Sequence, residues 1–290
     1  MVHLFVRFPL LVLPSERHLH RSAFHLVNDR YPLMKLLEGK KAVVLGLAND
    51  RSIAWGIAQA LSEQGAKLAF NYLGEALEKR VRPLAEGIGA EIIAPCDVSS
   101  DEQIEQFFKT VKEKWSGIDI LIHSVAFANK DDLQNRFVDT PRAGFKLAMD
   151  ISAYSLVATA REAEKLMPAT GGTIITLTYY GSEKVMPGYN VMGVAKAALE
   201  ASVKYLAHDL GQKKIRVHAI SAGPIKTLAA AGAIPNFRDF LGTIEEKSPM
   251  RENVSPEDVG ALAAFLCQDG AKHMTGNVMY VDSGYNIMGA

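Results

Sequence analysis

The chain has 290 residues, with 32 Lys and Arg against 32 Asp and Glu, so its formal charge is zero. A hydrophobic content of 48% and a charged content of 22% give material for one large α/β domain or two small ones. Neutrality argues against a nucleic-acid binder that works by neutralising phosphates, two cysteines (Cys96 and Cys267) are too few for a disulfide framework, and no unbroken apolar run is long enough to span a bilayer.

Residues 1–33 differ in texture from the rest of the chain. They hold His3, His18, His20 and His25, four Arg and only two acids. The apolar stretch 4–13 is broken by Arg7 and Pro9, and no small-residue cleavage site comes after it, which makes a poor secretory signal. An Arg-containing, acid-poor lead fits an organelle transit peptide. The preferred reading is translation from a start upstream of Met34, with no regular structure and no chemistry in this segment. The eight histidines of the chain have no zinc-site spacing, and the expected location is the cytoplasm.

From residue 41 short apolar runs alternate with longer segments of helical periodicity. The first strand, 41–46, leads through Gly46-Leu47-Ala48-Asn49-Asp50-Arg51-Ser52-Ile53-Ala54-Trp55-Gly56 into a helix over 53–64. Gly46 permits a tight turn, and N–H groups at a helix start can receive a pyrophosphate. Gly56 would let helix and strand approach closely. The spacing fits neither G-x-G-x-x-G nor G-x-x-x-G-x-G, so a plain turn stands beside the nucleotide reading. A strand over 67–72 and a helix over 75–87 come next. The third strand, 90–95, ends at Cys96-Asp97-Val98. Asp97 there can accept from an adenine amino group while Val98 packs on the ring. The alternative is a helix cap, for which Ser99, Ser100 and Asp101 are better placed. After a helix over 101–115, the fourth strand, 118–124, exits through His123-Ser124-Val125-Ala126-Phe127-Ala128. Small side chains there let a flat ribose or nicotinamide lie on the backbone; a plain strand exit reads equally well.

A long helix over 141–167 precedes the fifth strand, 172–178. Tyr179-Tyr180-Gly181 come directly after that strand, and a helix over 189–211 carries Tyr189 and Lys196. Seven residues are two turns, so the phenol and the ammonium share a face. A phenol beside an ammonium has its anion favoured, so the Tyr189 pKa is expected to fall. Such a tyrosine can donate to an oxygen that becomes negative during reaction. Taken alone the pair is ordinary amphipathicity, a core tyrosine and a solvated lysine; its place after strand five gives it weight. A strand over 215–221, a helix over 256–268 and a strand over 277–282 complete the chain. Between them, 223–247 reads as a loop with Gly232, Pro235 and Gly242 as bend points, suited to a substrate lid. Near-continuous apolar strands suit a sheet covered on both faces. The expected fold is a Rossmann-like, doubly wound, seven-stranded parallel sheet in a single domain over 34–290, with its ligand at the carboxyl ends of the strands.

Together the motifs resemble the enoyl-[acyl-carrier-protein] reductases of bacterial fatty-acid synthesis, a divergent branch of the short-chain dehydrogenase/reductases. The carrying segments are Ser52-Ile53-Ala54-Trp55-Gly56, Asp97-Val98, His123 to Ala128, 150–155, Tyr189-Asn190-Val191-Met192-Gly193, 219–229 and Val281-Asp282-Ser283-Gly284, in the family's order. The commoner dehydrogenases place a tyrosine four before the lysine and a serine thirteen before that tyrosine. Those slots here hold Met192 and Tyr179, with the working tyrosine moved to 189. The resemblance implies hydride transfer from NADH to the β-carbon of a trans-2-enoyl thioester on acyl carrier protein. It implies that Tyr189 hydrogen-bonds the thioester oxygen, Lys196 holds the nicotinamide ribose, and Tyr179 shapes the thioester pocket. Gly46, Ser52 and Ile53 would serve the pyrophosphate, Asp97 and Val98 the adenine, and Val125 the adenosine ribose. Ile225, Lys226, Thr227, Leu228 and Ala229 would serve the carboxamide and phosphate side, and Ala128 the substrate.

Leu73 stands after strand two where several relatives have Gln or Arg, and neither Gly74 nor Glu75 offers a partner for a 2′-phosphate. NADH is therefore favoured over NADPH, although Lys79 and Arg80 lie one turn on. Of the basic residues that dock the acidic carrier protein in relatives, Arg238 remains, beside Asp239. A homotetramer is expected from the resemblance and from surplus apolar surface. Phe145, Leu147, Met149, Tyr154, Leu156 and Val157 mark one helix, and Ala195, Ala197, Ala198, Leu199, Ala201 and Val203 the next. The C-terminal 285–288 would cover another interface. Two alternatives remain: another short-chain enoyl-CoA or dienoyl reductase, or a non-catalytic nicotinamide-binding regulator on the same fold.

Overall fold

A computed structural model describes residues 35–227 and 237–289. The segment 1–33, together with Leu228, Ala229, Gly232 and Pro235 of the expected lid, lies outside the described residues.

The core is built outward from strand β1 (Lys41–Leu45), whose five residues KAVVL have no polar side chain after the first. Val43 and Leu45 pack into one apolar layer and Ala42 and Val44 into the opposite one, all fully buried. A strand apolar on both faces needs cover on both faces, and the chain supplies it with helices. In chain order the next elements are α1 (Ile53–Glu63), β2 (Lys67–Tyr72), α2 (Gly74–Gly87), β3 (Ile92–Pro95), α3 (Asp101–Trp115) and β4 (Ile120–His123). After them come the short α4 (Lys130–Gln134), α5 (Arg142–Met149), α6 (Ser155–Glu164), β5 (Gly172–Thr178) and α7 (Asn190–Gly211). The last elements are β6 (Ile215–Ala222), α8 (Phe237–Lys247), α9 (Pro256–Leu266) and β7 (Val278–Val281).

The seven strands form one sheet in the order β3-β2-β1-β4-β5-β6-β7, every pair parallel. This is the doubly wound arrangement expected, and the order reverses between β1 and β4. Leu45 pairs with His123 at that switch point, where open α/β sheets bind their ligands.

Serines start three of the helices, and each does so with its hydroxyl. Ser52 accepts from Trp55 N–H, Ser100 from Gln103 N–H, and Ser255 closes a capping box with Asp258 ahead of Pro256. Ser100, rather than Ser99 or Asp101, is thus the cap after strand three.

Three expectations change. The helix expected over 141–167 is two, α5 and α6, joined by a π-helical turn over Asp150–Tyr154. Such turns add a residue to the helix and re-aim side chains; here the turn presents Ser152 and Ser155 toward the exit of β4. Within the expected loop 223–247, residues 237–247 form α8, whose Ile244 is buried. Gly56 permits helix–helix approach rather than helix–strand approach. A Cβ there would collide with the Pro256 carbonyl at the start of α9, and one on Gly260 would strike Gly56 in return.

Candidate active site

Backbone shape dominates the end of β1. Gly46 has φ +91°, and a Cβ on it would run into the Ser124 carbonyl just beyond β4. Only glycine combines that left-handed conformation with so close a backbone approach. Its N–H donates to Asn71 Oδ1 at 2.9 Å, and the Asn71 amide donates on to the Cys96 carbonyl at 3.0 Å. One buried amide thereby ties together the ends of β1, β2 and β3. Ser52 donates to Asn49 O at 2.7 Å while capping α1, which has no acid in its first turn. Ile53 is half-buried beside it. The positive end of an eleven-residue helix therefore faces the loop after β1.

The neighbouring strand ends carry the rest of the expected nucleotide floor. Leu73 is 52% exposed at the end of β2. Asp97 Oδ1 accepts from the Ser99 N–H at 2.9 Å and the Ser99 hydroxyl at 2.7 Å, and Val98 is buried next to it. Val125 packs against the core layer beside β4. Ser152 fixes the β4 exit by accepting from the Phe127 N–H at 2.9 Å and donating to the Phe127 carbonyl at 3.0 Å. Ala128 lies against a small apolar cluster of Leu133, Val191, Met192 and Ala195, with Tyr189 at its edge. Ile225 is buried, Lys226 is exposed and Thr227 N–H donates to Ile225 O at 2.7 Å. Leu228 and Ala229 fall outside the described residues.

Titratable side chains dominate the end of β5. Tyr179 and Tyr189 meet edge to face with centroids 4.9 Å apart, and Tyr189 immediately precedes α7. Asn190, the first residue of that helix, has φ +36° and donates through its amide to Leu133 O at 2.7 Å and Asn135 O at 2.6 Å. Lys196 is 5% exposed, and its Nζ donates to Leu177 O at 2.6 Å. Burial lowers the ammonium to about 8, while Glu200 pulls it back upward. The expectation that the Tyr189 pKa falls is overturned. Burial pushes it above the ordinary phenol value, with Tyr179 and Glu200 adding to the rise. Desolvation of the phenol decides the direction, while Lys196 directs one of its N–H groups to a strand carbonyl. A phenol so placed stays protonated and donates. Burial also drives the Tyr179 phenol upward. His123 is fully buried between Thr176 Oγ1 at 3.0 Å and Ser155 Oγ at 2.8 Å, and burial, then Lys196, lowers it to about 3. It is a neutral structural histidine. A cleft of about 390 Å³ opens beside Tyr189, bounded by Phe137 and the turn 181–186.

These features fit a nicotinamide dinucleotide. The helix start beside Gly46, reached through a left-handed glycine turn packed against the Ser124 carbonyl, suits a pyrophosphate. The buried ammonium across the switch point suits ribose hydroxyls.

The family model described as "Enoyl-(Acyl carrier protein) reductase" matches residues 46–286. The chain belongs to that family. It is 55% identical over 258 residues to an enoyl-[acyl-carrier-protein] reductase [NADH] of Bacillus cereus, covering 88% of this chain and all of the relative. It is 51% identical to the corresponding Aquifex aeolicus protein over 88% of this chain and 94% of the relative. The crystal structure of the Bacillus cereus reductase, with NADP+ and indole naphthyridinone, superposes with a TM-score of 0.86 over 89% of this chain and all of that one. The Anaplasma phagocytophilum reductase in complex with NAD is 50% identical and gives 0.85, over 89% and 97%.

Within this enoyl reductase family member, sequence reasoning assigns no role to Asn71 or Glu200, and it marks Ser152 only as part of the segment 150–155. Asn71 carries a faint signal, a polar residue among the buried positions of its strand. Glu200 carries none, because its partners lie on other elements.

Proposed function

We propose that this chain reduces trans-2-enoyl-[acyl-carrier-protein] thioesters to saturated acyl thioesters with NADH. The observation that carries the reading is the convergence of Tyr179, Tyr189 and Lys196 at the end of β5, across the switch point from the Gly46 turn and the start of α1. NADH supplies the hydride when bound. The Tyr189 hydroxyl, kept protonated by burial, would donate to the thioester oxygen as negative charge collects there. The α-carbon would then take a proton from water, which with the hydride completes the saturation of the double bond. Lys196 holds ribose hydroxyls with its remaining N–H groups and keeps the ring in place. Tyr179 braces the Tyr189 ring and shapes the thioester pocket, with Ala128 on its wall. Gly46, Ser52 and Ile53 serve the pyrophosphate, Asp97 and Val98 the adenine, and Val125 with 225–229 the flanking groups. Exposed Leu73 offers no partner to a 2′-phosphate, which supports NADH over NADPH.

The wider reading includes a cytoplasmic homotetramer with 34–290 as the catalytic domain and 1–33 outside it. No described helix is long and apolar enough to cross a membrane. Of the residues expected to supply surplus apolar surface, Leu156, Ala195, Leu199 and Val203 are buried in the subunit's own core. Phe145 and Tyr154 are exposed, joined by Val194 and Tyr205 on α7 and by Ile287 and Met288 near the C-terminus. Apolar surface of that extent favours subunit contacts. Light scattering should give about four times 31.6 kDa; a single-chain mass refutes the tetramer. The function is tested by loss of NADH absorbance with crotonyl-acyl carrier protein, with crotonyl-CoA and NADPH run alongside. Preference for the CoA thioester would favour a different enoyl reductase, and binding without turnover a nicotinamide-binding regulator.

A further inference from the structure

Glu200 lies one helical turn beyond Lys196 on α7. Its Oε1 accepts from the Thr178 hydroxyl at 2.5 Å and from the Ser182 hydroxyl at 2.5 Å. Thr178 ends β5 and Ser182 closes the single turn over Tyr180–Ser182. The two donors therefore bracket the segment that carries Tyr179. A second carboxylate, Glu183, takes the Tyr280 hydroxyl from β7 and ties the far side of the same turn to the sheet. Two short hydroxyl–carboxylate bonds to one oxygen are charge-assisted and directional, which makes this a fixed carboxylate rather than a swinging surface side chain.

We infer that Glu200 is a positioning residue of the active site: held by Thr178 and Ser182, its carboxylate clamps the tyrosine-bearing turn to α7 and sets a negative charge one helical turn from Lys196. The inference rests on the proposed role of Lys196 toward the ribose. The charge balance around Lys196 supports it. His123 faces the lysine from β4 and is neutral, the Leu177 carbonyl faces it from β5, and Tyr179 and Tyr189 beyond are protonated phenols. Tyr280, the next titratable group from β7, interacts with Glu200 and is likewise a protonated phenol. Glu200 is thus the anion that offsets the burial of Lys196, which stands at about 8 with that help. The same charge opposes ionisation of Tyr189. The carboxylate therefore favours the charged form of Lys196 and adds to the burial that already keeps Tyr189 protonated.

Glu200→Gln separates charge from shape, because the amide oxygen can still accept from both hydroxyls. In the apo protein with ε-13C-labelled lysines, assigned by Lys196→Met, the Lys196 titration midpoint should fall by about one pH unit. NADH affinity measured by calorimetry should then weaken several-fold at pH 8 and stay within twofold at pH 6, where the ammonium survives. Glu200→Asp keeps the charge and should restore the midpoint. Thr178→Val with Ser182→Ala releases the carboxylate and should lower kcat with little change in the pH 6 NADH affinity. An unchanged Lys196 midpoint in Glu200→Gln overturns the proposal. Because that titration is read without cofactor or substrate, it stands apart from any failure of the reductase reading.

Discussion

The two ends of the candidate site are built from different material. Around β1 the arrangement is backbone: a left-handed glycine, a helix start and one buried amide that joins three strand ends. Around β5 it is ionisable side chains, two phenols, an ammonium and a carboxylate, in a desolvated pocket. The first region depends on shape, since a single methyl group on Gly46 would strike the Ser124 carbonyl. The second selects by charge, since its donors work only while protonated. Damage to the first should therefore appear in stability with cofactor affinity lost alongside, and damage to the second, without loss of stability, in rate, in pH dependence and, at Lys196, in cofactor affinity.

Gly46→Ala should have the largest effect on the molecule as a whole. It forces a Cβ against the Ser124 carbonyl in a left-handed conformation, at a cost of about 2–4 kcal/mol in chemical denaturation, with NADH affinity lost alongside. A variant of wild-type stability would show that the approach of Gly46 to Ser124 does not require glycine.

Lys196→Met should weaken NADH binding roughly 10–100-fold, the range for losing a hydrogen bond to a charged group. Unchanged affinity by fluorescence titration would remove the lysine from the ribose. The same residue makes wild-type affinity pH-dependent. Lys196 is charged below about 8 and neutral above it, so NADH affinity should hold from pH 6 to 7.5 and fall as pH passes 8. A flat profile to pH 9 would contradict a lowered lysine.

The contrast between shape and charge also explains how much could be read from the chain. Strand and helix order was legible because β1, β4 and β5 are short apolar runs between amphipathic helices, and that pattern is local. Tyr189 and Lys196 were legible as a pair on one helix face. The features that escaped depend on contacts between distant elements. Glu200 meets Ser182 and Thr178 from 18 and 22 residues away, and nothing near it in the chain hints at either. Gly56 was visible as a close-approach residue, but its partner, Pro256, lies two hundred positions on. The direction of the Tyr189 shift was misjudged for a related reason: proximity to a lysine is readable from spacing, whereas burial and the lysine's own carbonyl partner are not. The helix α8 within the expected lid was masked by the glycines and proline that precede or interrupt it.

Removal of residues 1–33 should have the smallest effect, within about 0.5 kcal/mol in stability and with unchanged turnover, if the segment lies outside the folded unit. A large loss of either would give it a structural role.

The most direct measurement of the division between shape and charge is a paired one on Tyr189→Phe, with NADH affinity by calorimetry and single-turnover reduction of a crotonyl thioester. The phenylalanine keeps the ring packed on Tyr179 and removes only the hydroxyl that donates to the thioester oxygen. The account predicts NADH affinity within about twofold of wild type and a rate lower by on the order of 10²–10³, as when one oxyanion donor is lost. Near-wild-type turnover, or a loss of NADH affinity as large as the loss of rate, would contradict it.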